Sequence, residues 1–408
     1  MDHATGSHTP TTTSPGNQNL FAGVLVLVMA LAIMLPPALG ALGPFLIDDL
    51  GLNRSQIGIL ASVASLASAL LAPPLGRIVD RYVGRGLISV VFVVVAVGLF
   101  SVAAAPSFPW LVAAVFVAGA GMALANPATN RLIAAHGDPQ RRGLLVGLKQ
   151  SGVQVGATLA GVTLPAVATV LGWRGAIAIV ALFAVLAAAT GWLAVPRSFA
   201  PGAEPSAKGT PGAAPDTSER EIHWLAVFTF FMAAGTATLV SYLPLYSFDE
   251  VGYSAVVAGL VGATLAFVGI AARIGWARFA DRIGDPWRVL VWLASGAAAA
   301  QLLLLLAPRV PILLWISAAA LGASMGAWHA VVQVTIVRRG LHGAGRRTGL
   351  VHLTFSAGMV AGPALFGISV DRLEAYAPGW LAVLVLNLLG AAMAWGWRRR
   401  HMPVGATN

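Results

Sequence analysis

Long apolar stretches separated by short polar loops constrain this 408-residue chain more than any other feature. A helix needs about 20 residues to cross a hydrocarbon layer of about 30 Å, and twelve such stretches can be marked out. They lie at about 20–42, 55–76, 87–105, 110–132, 144–170, 177–195, 223–246, 255–277, 289–307, 311–337, 350–370 and 380–397. With 58% hydrophobic and 10% charged residues, the chain is too apolar for a soluble domain of this size. The sequence therefore predicts an all-α protein embedded in a lipid bilayer.

Two polar loops indicate that the chain consists of two related halves. Residues 76–86 read GRIVDRYVGRG and residues 277–285 read ARFADRIGD, and their aspartates are 201 residues apart. The same offset places Gly58 on Gly259. A duplicated six-span unit is a common plan for secondary transporters. The predicted order is a disordered tail at 1–18, a bundle at 19–195, a flexible linker at 196–221, a second bundle at 222–397 and a tail at 398–408.

The first loop resembles the hairpin signature G-x-x-x-D-R-x-G-R of the major facilitator superfamily. Five residues match it: Gly76, Asp80, Arg81, Gly84 and Arg85. Val83 is an extra residue before the second glycine, and Ala277 replaces the first glycine in the second loop. The resemblance implies the fold of that family, with twelve transmembrane helices in two pseudo-symmetric six-helix bundles, and transport by alternating access.

Lysine and arginine residues are distributed unevenly between the two predicted faces. Nineteen of the 25 lie at one set of span ends, and four (Arg54, Arg174, Arg309 and Arg372) lie at the other. Under the positive-inside rule, both termini are cytoplasmic, which suits a bacterial inner (plasma) membrane. The net charge of +10 is read as a topology signal, and nucleic-acid binding is not predicted.

Arg273 is the predicted principal substrate ligand. It precedes Asp281 by eight residues, about 12 Å along a helix. This spacing is similar to span 8 of the monocarboxylate and oxalate/formate branch of the superfamily, where such an arginine binds the substrate carboxylate. Arginine suits this task because its two parallel donors match a planar anion. The alternative is that Arg273 extends to the membrane surface or supports the hairpin.

Other polar residues within spans complete the predicted substrate site. They are Lys149, Gln150, Asn126, His329, Gln333, Tyr242 and His352. The amides either line a wet cavity or tie neighbouring helices together by hydrogen bonds. A histidine can accept a transported proton, and the alternative is a neutral ring bonded to a neighbouring helix.

Charged residues at the ends of the spans are predicted to form a conformational gate. The set comprises Asp80, Arg81, Gly84, Arg85, Asp281, Arg282, Arg141 and Arg346. The carboxylates can cap a facing helix or pair with arginine, which latches the cytoplasmic side. The alternative role is plain topology anchoring.

No Asp or Glu lies in the middle of a predicted span, so the embedded ionisable groups favour an anionic solute. We therefore expect a monomeric secondary transporter for a small organic anion resembling a monocarboxylate, working by proton symport or anion exchange. The alternative is an efflux carrier for drugs or metabolites. The sequence contains neither a nucleophile–base pair nor a metal-ligand cluster, so an enzyme, a metal and a cofactor are not predicted.

Overall fold

The computed structural model describes residues 15–81, 85–136, 142–194, 216–338 and 345–401, and fourteen α-helices account for nearly all of them. No strand occurs within these ranges. The helices are α1 (Pro15–Ala32), α2 (Leu35–Ala41), α3 (Gly43–Leu50), α4 (Arg54–Arg81), α5 (Arg85–Ala103), α6 (Phe108–His136), α7 (Arg142–Ala194), α8 (Asp216–Asp249), α9 (Ala255–Ile283), α10 (Pro286–Leu306), α11 (Ile312–Met325), α12 (Trp328–Arg338), α13 (Gly345–Leu373) and α14 (Ala377–His401).

Twelve membrane crossings can be counted in the described part of the chain. Ten helical segments are long and apolar enough to cross a membrane, with α11 and α12 together counted as one, and α1 with α2 forms an eleventh crossing that is bent by 51°. The helix α7 has 53 residues, whereas a single crossing needs about 20. Since α7 departs from helical geometry at Gly172, where φ is 68°, it supplies two crossings and brings the count to twelve.

Hydrogen bonds show that the chain reverses direction at Gly172. Arg174 donates to the carbonyl of Ala105, just beyond the last residue of α5, at 3.0 Å. Ser89, near the first residue of α5, donates to the carbonyl of Ala188 at 2.8 Å. Residues 174 and 188 therefore lie at opposite ends of α5, and the second part of α7 runs antiparallel to the first. The two predicted spans at 144–170 and 177–195 thus correspond to the two parts of α7, which is described as far as Ala194.

The first crossing breaks earlier than the proline pair suggested. The pair Pro36-Pro37 lies within the predicted span 20–42, where prolines inside a single helix would kink it, but α1 ends at Ala32 and the prolines lie in the first turn of α2. A proline in the first helical turn lacks only an N–H that has no intrahelical partner there. The prolines consequently start a new helix instead of distorting an existing one.

The predicted span at 311–337 is also broken, at Gly326 and Ala327 between α11 and α12. A helix break inside a membrane protein leaves backbone carbonyls that need other donors. The carbonyl of Gly326 receives one from a side chain of another helix, as described below.

Two sets of core side chains hold the helices together, one within residues 21–187 and one within residues 222–397. We use "N-terminal half" for α1–α7 and "C-terminal half" for α8–α14. The halves meet where α4 packs on α13 and where α7 packs on α9. The predicted boundaries near 195 and 222 stay predictions, since residues 195–215 lie outside the described residues.

Candidate functional site

The positions of the polar residues can be given relative to the two ends of the helical assembly. We call the end that carries the first residues of α4 the Arg54 end and the end that carries its last residues the Asp80 end. The Asp80 end also contains the last residues of α6, α9 and α14 and the first residues of α7, α10 and α13.

Arg273 of α9 lies between the two halves, on the Asp80 side of the centre. Its Nε donates to the carbonyl of Gly326 at the α11–α12 break, 3.2 Å away. Its Nη1 donates across the boundary between the halves to the carbonyl of Gln150 in α7, 3.4 Å away. A guanidinium has five N–H donors, and these two bonds leave donors for another acceptor. Both bonded groups are neutral, so the positive charge of Arg273 is solvated but not cancelled.

Aromatic and imidazole rings follow the helix break at which Arg273 is bound. His329 lies one helical turn after Gly326, and its ring centroid lies 5.1 Å from that of Phe355. His352 stacks on the same Phe355 ring with centroids 6.0 Å apart. The structure thus brings His329 and His352 together on one aromatic ring, and it joins Arg273 to Gln150 of the other half through the Gln150 backbone carbonyl.

Lys149 forms a separate polar cluster inside the N-terminal half. Its side chain is buried, and its ammonium donates to three side-chain oxygens of α6: Asn126 at 3.2 Å, Thr129 at 3.0 Å and Asn130 at 2.6 Å. These residues share one face of α6 because they lie three and four positions apart. An ammonium has three donors, so all of them are used within the half. In this conformation, Lys149 and Asn126 form a hydrogen bond with each other and do not both face a substrate cavity.

A small cavity lies one turn further from the Asp80 end than the Gln150 carbonyl. Its volume of about 30 Å³ has room for one or two waters. It lies between α2, α7, α8 and α9, and apart from Gln154 its lining side chains are apolar. A Cβ at Gly269 would lie 2.6 Å from Gln154 Nε2, so glycine at this position lets the amide reach the C-terminal half. Gln154 lies one helical turn after Gln150, whereas no local pattern in the sequence gives a role to Gly269.

Tyr242 and Gln333 lie apart from Arg273. Tyr242 is buried at the Arg54 end, where its hydroxyl donates to the carbonyl of Arg54 at 2.6 Å. Gln333 is exposed on α12, two turns beyond the helix break. Neither residue contacts Arg273 among the described interactions.

The predicted gate falls partly outside the described structure. Gly84 and Arg141 lie outside the described residues, as do the side chains of Arg81, Arg85 and Arg346. The remaining gate residues Asp80, Asp281 and Arg282 are exposed near the last residues of α4 and α9. Their equivalent positions agree with the sequence repeat, while their role as a gate stays a prediction.

The Arg54 end contains a network that joins the two halves and that the sequence did not reveal. The carboxylate of Asp371 in α13 accepts from the backbone N–H of Arg54 at 3.1 Å and of Ser55 at 2.7 Å, and also from the Ser55 hydroxyl. The Arg54 side chain forms an ion pair with Asp249 at 3.0 Å. Asp371 therefore caps the first turn of a helix that belongs to the other half.

Tyr376 and Asp49 support the same end. The Tyr376 hydroxyl donates to Asp249 at 2.6 Å. Burial raises the pKa of Tyr376 and the Asp249 carboxylate raises it further, so the hydroxyl keeps its proton. Within the N-terminal half, Trp173 and Arg174 donate to the Asp49 carboxylate, and these hydrogen bonds lower the pKa of Asp49.

Only a local part of this network has a sequence signal. Asn53 Oδ1 accepts from Gln56 N–H at 2.8 Å and Gln56 Oε1 accepts from Asn53 N–H at 2.9 Å, which is a capping box readable from the spacing. The cross-half partner Asp371 is 316 residues from Ser55, and no local pattern connects the two.

Comparison with known proteins identifies relatives that cover most of the chain. The family model described as Major Facilitator Superfamily matches residues 20–340 and, in a second match, residues 225–408. An uncharacterised MFS-type transporter of Mycobacterium tuberculosis is 26% identical, over 83% of this chain and 76% of that protein. The probable nitrate/nitrite transporter NarK2 of M. tuberculosis is 27% identical, over 86% of this chain and 89% of its own. The 4-hydroxybenzoate transporter PcaK of Pseudomonas aeruginosa is 31% identical, over 34% of this chain and 31% of its own.

A solved structure has the same fold. The crystal structure of a bacterial homolog of the human lysosomal transporter Spinster, in an inward-facing and occupied conformation, superposes with a TM-score of 0.78. The match covers 95% of this chain and 98% of that chain at 19% sequence identity.

Proposed function

The chain belongs to the major facilitator superfamily, a family of membrane transporters rather than enzymes, and from this premise we propose that it carries a small anion by alternating access. Both the fold and the relatives make it an integral membrane protein with a small-molecule substrate. The nature of that substrate has to be argued from the residues in the interior.

The observation that supports an anion is the charge of the interior. Lys149 and Arg273 lie inside the helical assembly with neutral oxygens as hydrogen-bond partners. In the described ranges, every carboxylate lies near a helix end. An uncompensated cation inside a membrane protein is costly, and a bound anion would remove that cost.

The shape of the guanidinium favours a planar oxyanion. Arg273 retains donors that can form two parallel bonds to a carboxylate, and the neighbouring cavity is lined mainly by apolar side chains, so that a short organic chain would meet apolar surface there once the space widens. We therefore expect a small monocarboxylate as the first candidate. Nitrate has the same planar arrangement of oxygens and is the second candidate, favoured by the similarity to NarK2.

The expected cycle follows from the arrangement of the polar clusters. The Arg54 end is tied shut between the halves, and we take the Asp80 end to be cytoplasmic, in accordance with the positive-inside rule. A solute entering from the Asp80 end would meet Arg273 before the cavity. Coupling to a proton through His329 or His352, or exchange with a second anion, completes the proposal.

Uptake into proteoliposomes tests the role of Arg273. We expect Arg273→Ala to abolish uptake of the substrate among a panel of monocarboxylates and nitrate. Arg273→Lys keeps the charge but loses the paired donors, so the apparent affinity should fall about 10- to 150-fold if one charge-assisted bond of about 1.5–3 kcal/mol is lost. A pH gradient should accelerate uptake under proton symport, whereas exchange requires anion inside the vesicles.

Arg278→Lys is the matched control, because Arg278 is exposed on the same helix. It should transport as the unmodified protein does. Normal anion uptake by Arg273→Ala would contradict the proposal. Increased drug resistance on overexpression, without anion uptake by the unmodified protein, would favour the efflux alternative.

A further inference from the structure

Tryptophan is concentrated at the Asp80 end of the C-terminal half. Six of the 12 tryptophans of the chain lie there, near the ends of α8, α9, α10 and α14: Trp224, Trp276, Trp287, Trp292, Trp395 and Trp397. Trp292 and Trp395 are 38% and 51% exposed, so part of each ring faces the surroundings of the protein. Tryptophan is enriched at the level of lipid headgroups because its ring is apolar and its N–H is polar.

Three arginines of this region lie over tryptophan rings. The guanidinium carbon lies 4.8 Å from the ring centroid for Arg288 on Trp292, 5.2 Å for Arg399 on Trp395 and 5.3 Å for Arg400 on Trp224. Stacking uses the flat face of a guanidinium and leaves the N–H donors at its edge for other partners. We call Arg288, Arg399 and Arg400 the basic rim.

An ion pair brings the basic rim together. Arg398 Nε donates to Asp285 Oδ2 at 2.7 Å, which joins the last turn of α14 to the first turn of α10. The other oxygen of Asp285 accepts from the backbone N–H of Arg288 at 3.0 Å. Both oxygens of Asp285 are therefore occupied, and among the described ion pairs none involves a member of the basic rim.

From this arrangement, we propose that the basic rim binds the headgroup of an anionic phospholipid. The edges of the guanidinium groups offer paired donors that match a phosphate diester. The exposed rings of Trp292 and Trp395 offer an apolar surface for the adjoining acyl chains. Clusters of basic residues on the cytoplasmic side of membrane proteins are suited to such headgroups, and the stacked rings hold these arginines in place.

Native mass spectrometry of the detergent-purified full chain, titrated with phosphatidylglycerol, tests the proposal. Each arginine near an anionic surface contributes about fivefold in affinity, so Arg399→Gln/Arg400→Gln should weaken binding about 25-fold. The control Arg309→Gln/Arg372→Gln removes two exposed arginines from the opposite end and should leave binding unchanged. Phosphatidylcholine, which has no net charge, should bind far more weakly than phosphatidylglycerol.

A second variant separates a built site from general attraction between charges. Arg399→Lys/Arg400→Lys keeps the charge but loses the paired donors and the planar stack, and it should also bind more weakly than the unmodified protein. Unmodified affinity in this variant, or equal losses in the two glutamine variants, would overturn the proposal. Displacement of phosphatidylglycerol by inorganic phosphate at similar concentrations would overturn it as well, since the site would then recognise free phosphate. Because no transport is measured, failure here leaves the proposed anion transport untouched.

Discussion

At the scale of single residues, Lys149 and Arg273 show how a positive charge can be kept inside a membrane protein. Lys149 is surrounded by an amide, a hydroxyl and a second amide, and Arg273 by backbone carbonyls. Neutral oxygens satisfy the three donors of Lys149 and two of the five donors of Arg273, yet they leave the charge uncancelled, which a carboxylate would not. The bonds from Lys149 to Asn126 and Asn130 tie α7 to α6, which is the role that the sequence had offered for the amides as the alternative to lining a cavity.

Asp371 is the residue on which we expect closure of the Arg54 end to depend most. In Asp371→Asn, the charge that faces the first turn of α4 is lost, although one oxygen can still accept. A loss of one to two kcal/mol would lower the ratio of closed to open carrier by a factor of about 5–30. The reactivity of Leu243→Cys, a buried position that lines the cavity, towards a membrane-impermeant maleimide should rise accordingly when the reagent is added at the Arg54 end.

Asp48→Asn is the matched control for this prediction. Asp48 is exposed at the same end and makes none of the described contacts between the halves. Its removal should leave the reactivity of the cysteine unchanged. Equal reactivity in the Asp371 and Asp48 variants would show that the cap from the other half does not hold the end closed.

At the scale of helices, glycines determine how closely the halves approach. The repeat that relates Gly58 to Gly259 in the sequence has a structural counterpart, because both lie where a helix of one half crosses a helix of the other. A Cβ at Gly58 would overlap the Pro363 carbonyl, and a Cβ at Gly259 would overlap the Gly161 carbonyl. Small residues allow such close contact between membrane helices.

We expect Gly259→Ala to impair closure of the α7–α9 contact. The added methyl group meets backbone that cannot rotate away, and overpacking of this kind costs about 1–3 kcal/mol. Anion uptake into proteoliposomes should fall about 5- to 150-fold if closure limits the rate. Gly275→Ala on the same helix has open space at the new methyl group and should keep transport and gain slightly in melting temperature. Similar uptake by both variants would contradict this role of Gly259.

The breaks in the helices mark the limit of what local sequence predicts. The proline pair indicated an irregularity in the first crossing. The break itself lies a few residues before the prolines, because prolines fit the first turn of α2. The break at Gly326 has no proline, and only the contact with Arg273 shows what it does. A helix break supplies a carbonyl, and this one orients the arginine that the sequence had singled out.

At the scale of the whole molecule, the fold could be predicted because its determinants are local or repeated. Apolar length indicates a crossing, and an offset of 201 residues indicates duplication. The contacts that distinguish one conformation from another are neither local nor repeated. Arg54 and Asp249 are 195 residues apart, and position 255, the counterpart of Arg54 under the repeat, is alanine. The closure of one end therefore had to come from the structure.

Alternating access requires the Arg54 end to open in each cycle, and the chain is well suited to a direct test because it contains no cysteine. In Arg54→Cys/Asp249→Cys, a short, reducible bis-thiol crosslinker should join α4 to the last residues of α8. We expect anion uptake to fall to the level of empty liposomes, since the halves can no longer separate, and to recover after reduction. Each single-cysteine variant treated with the same reagent shows what loss of the ion pair alone does. A fully crosslinked carrier that still transports would mean that substrate passes without opening of the Arg54 end, which is incompatible with rocking of two halves about a central site.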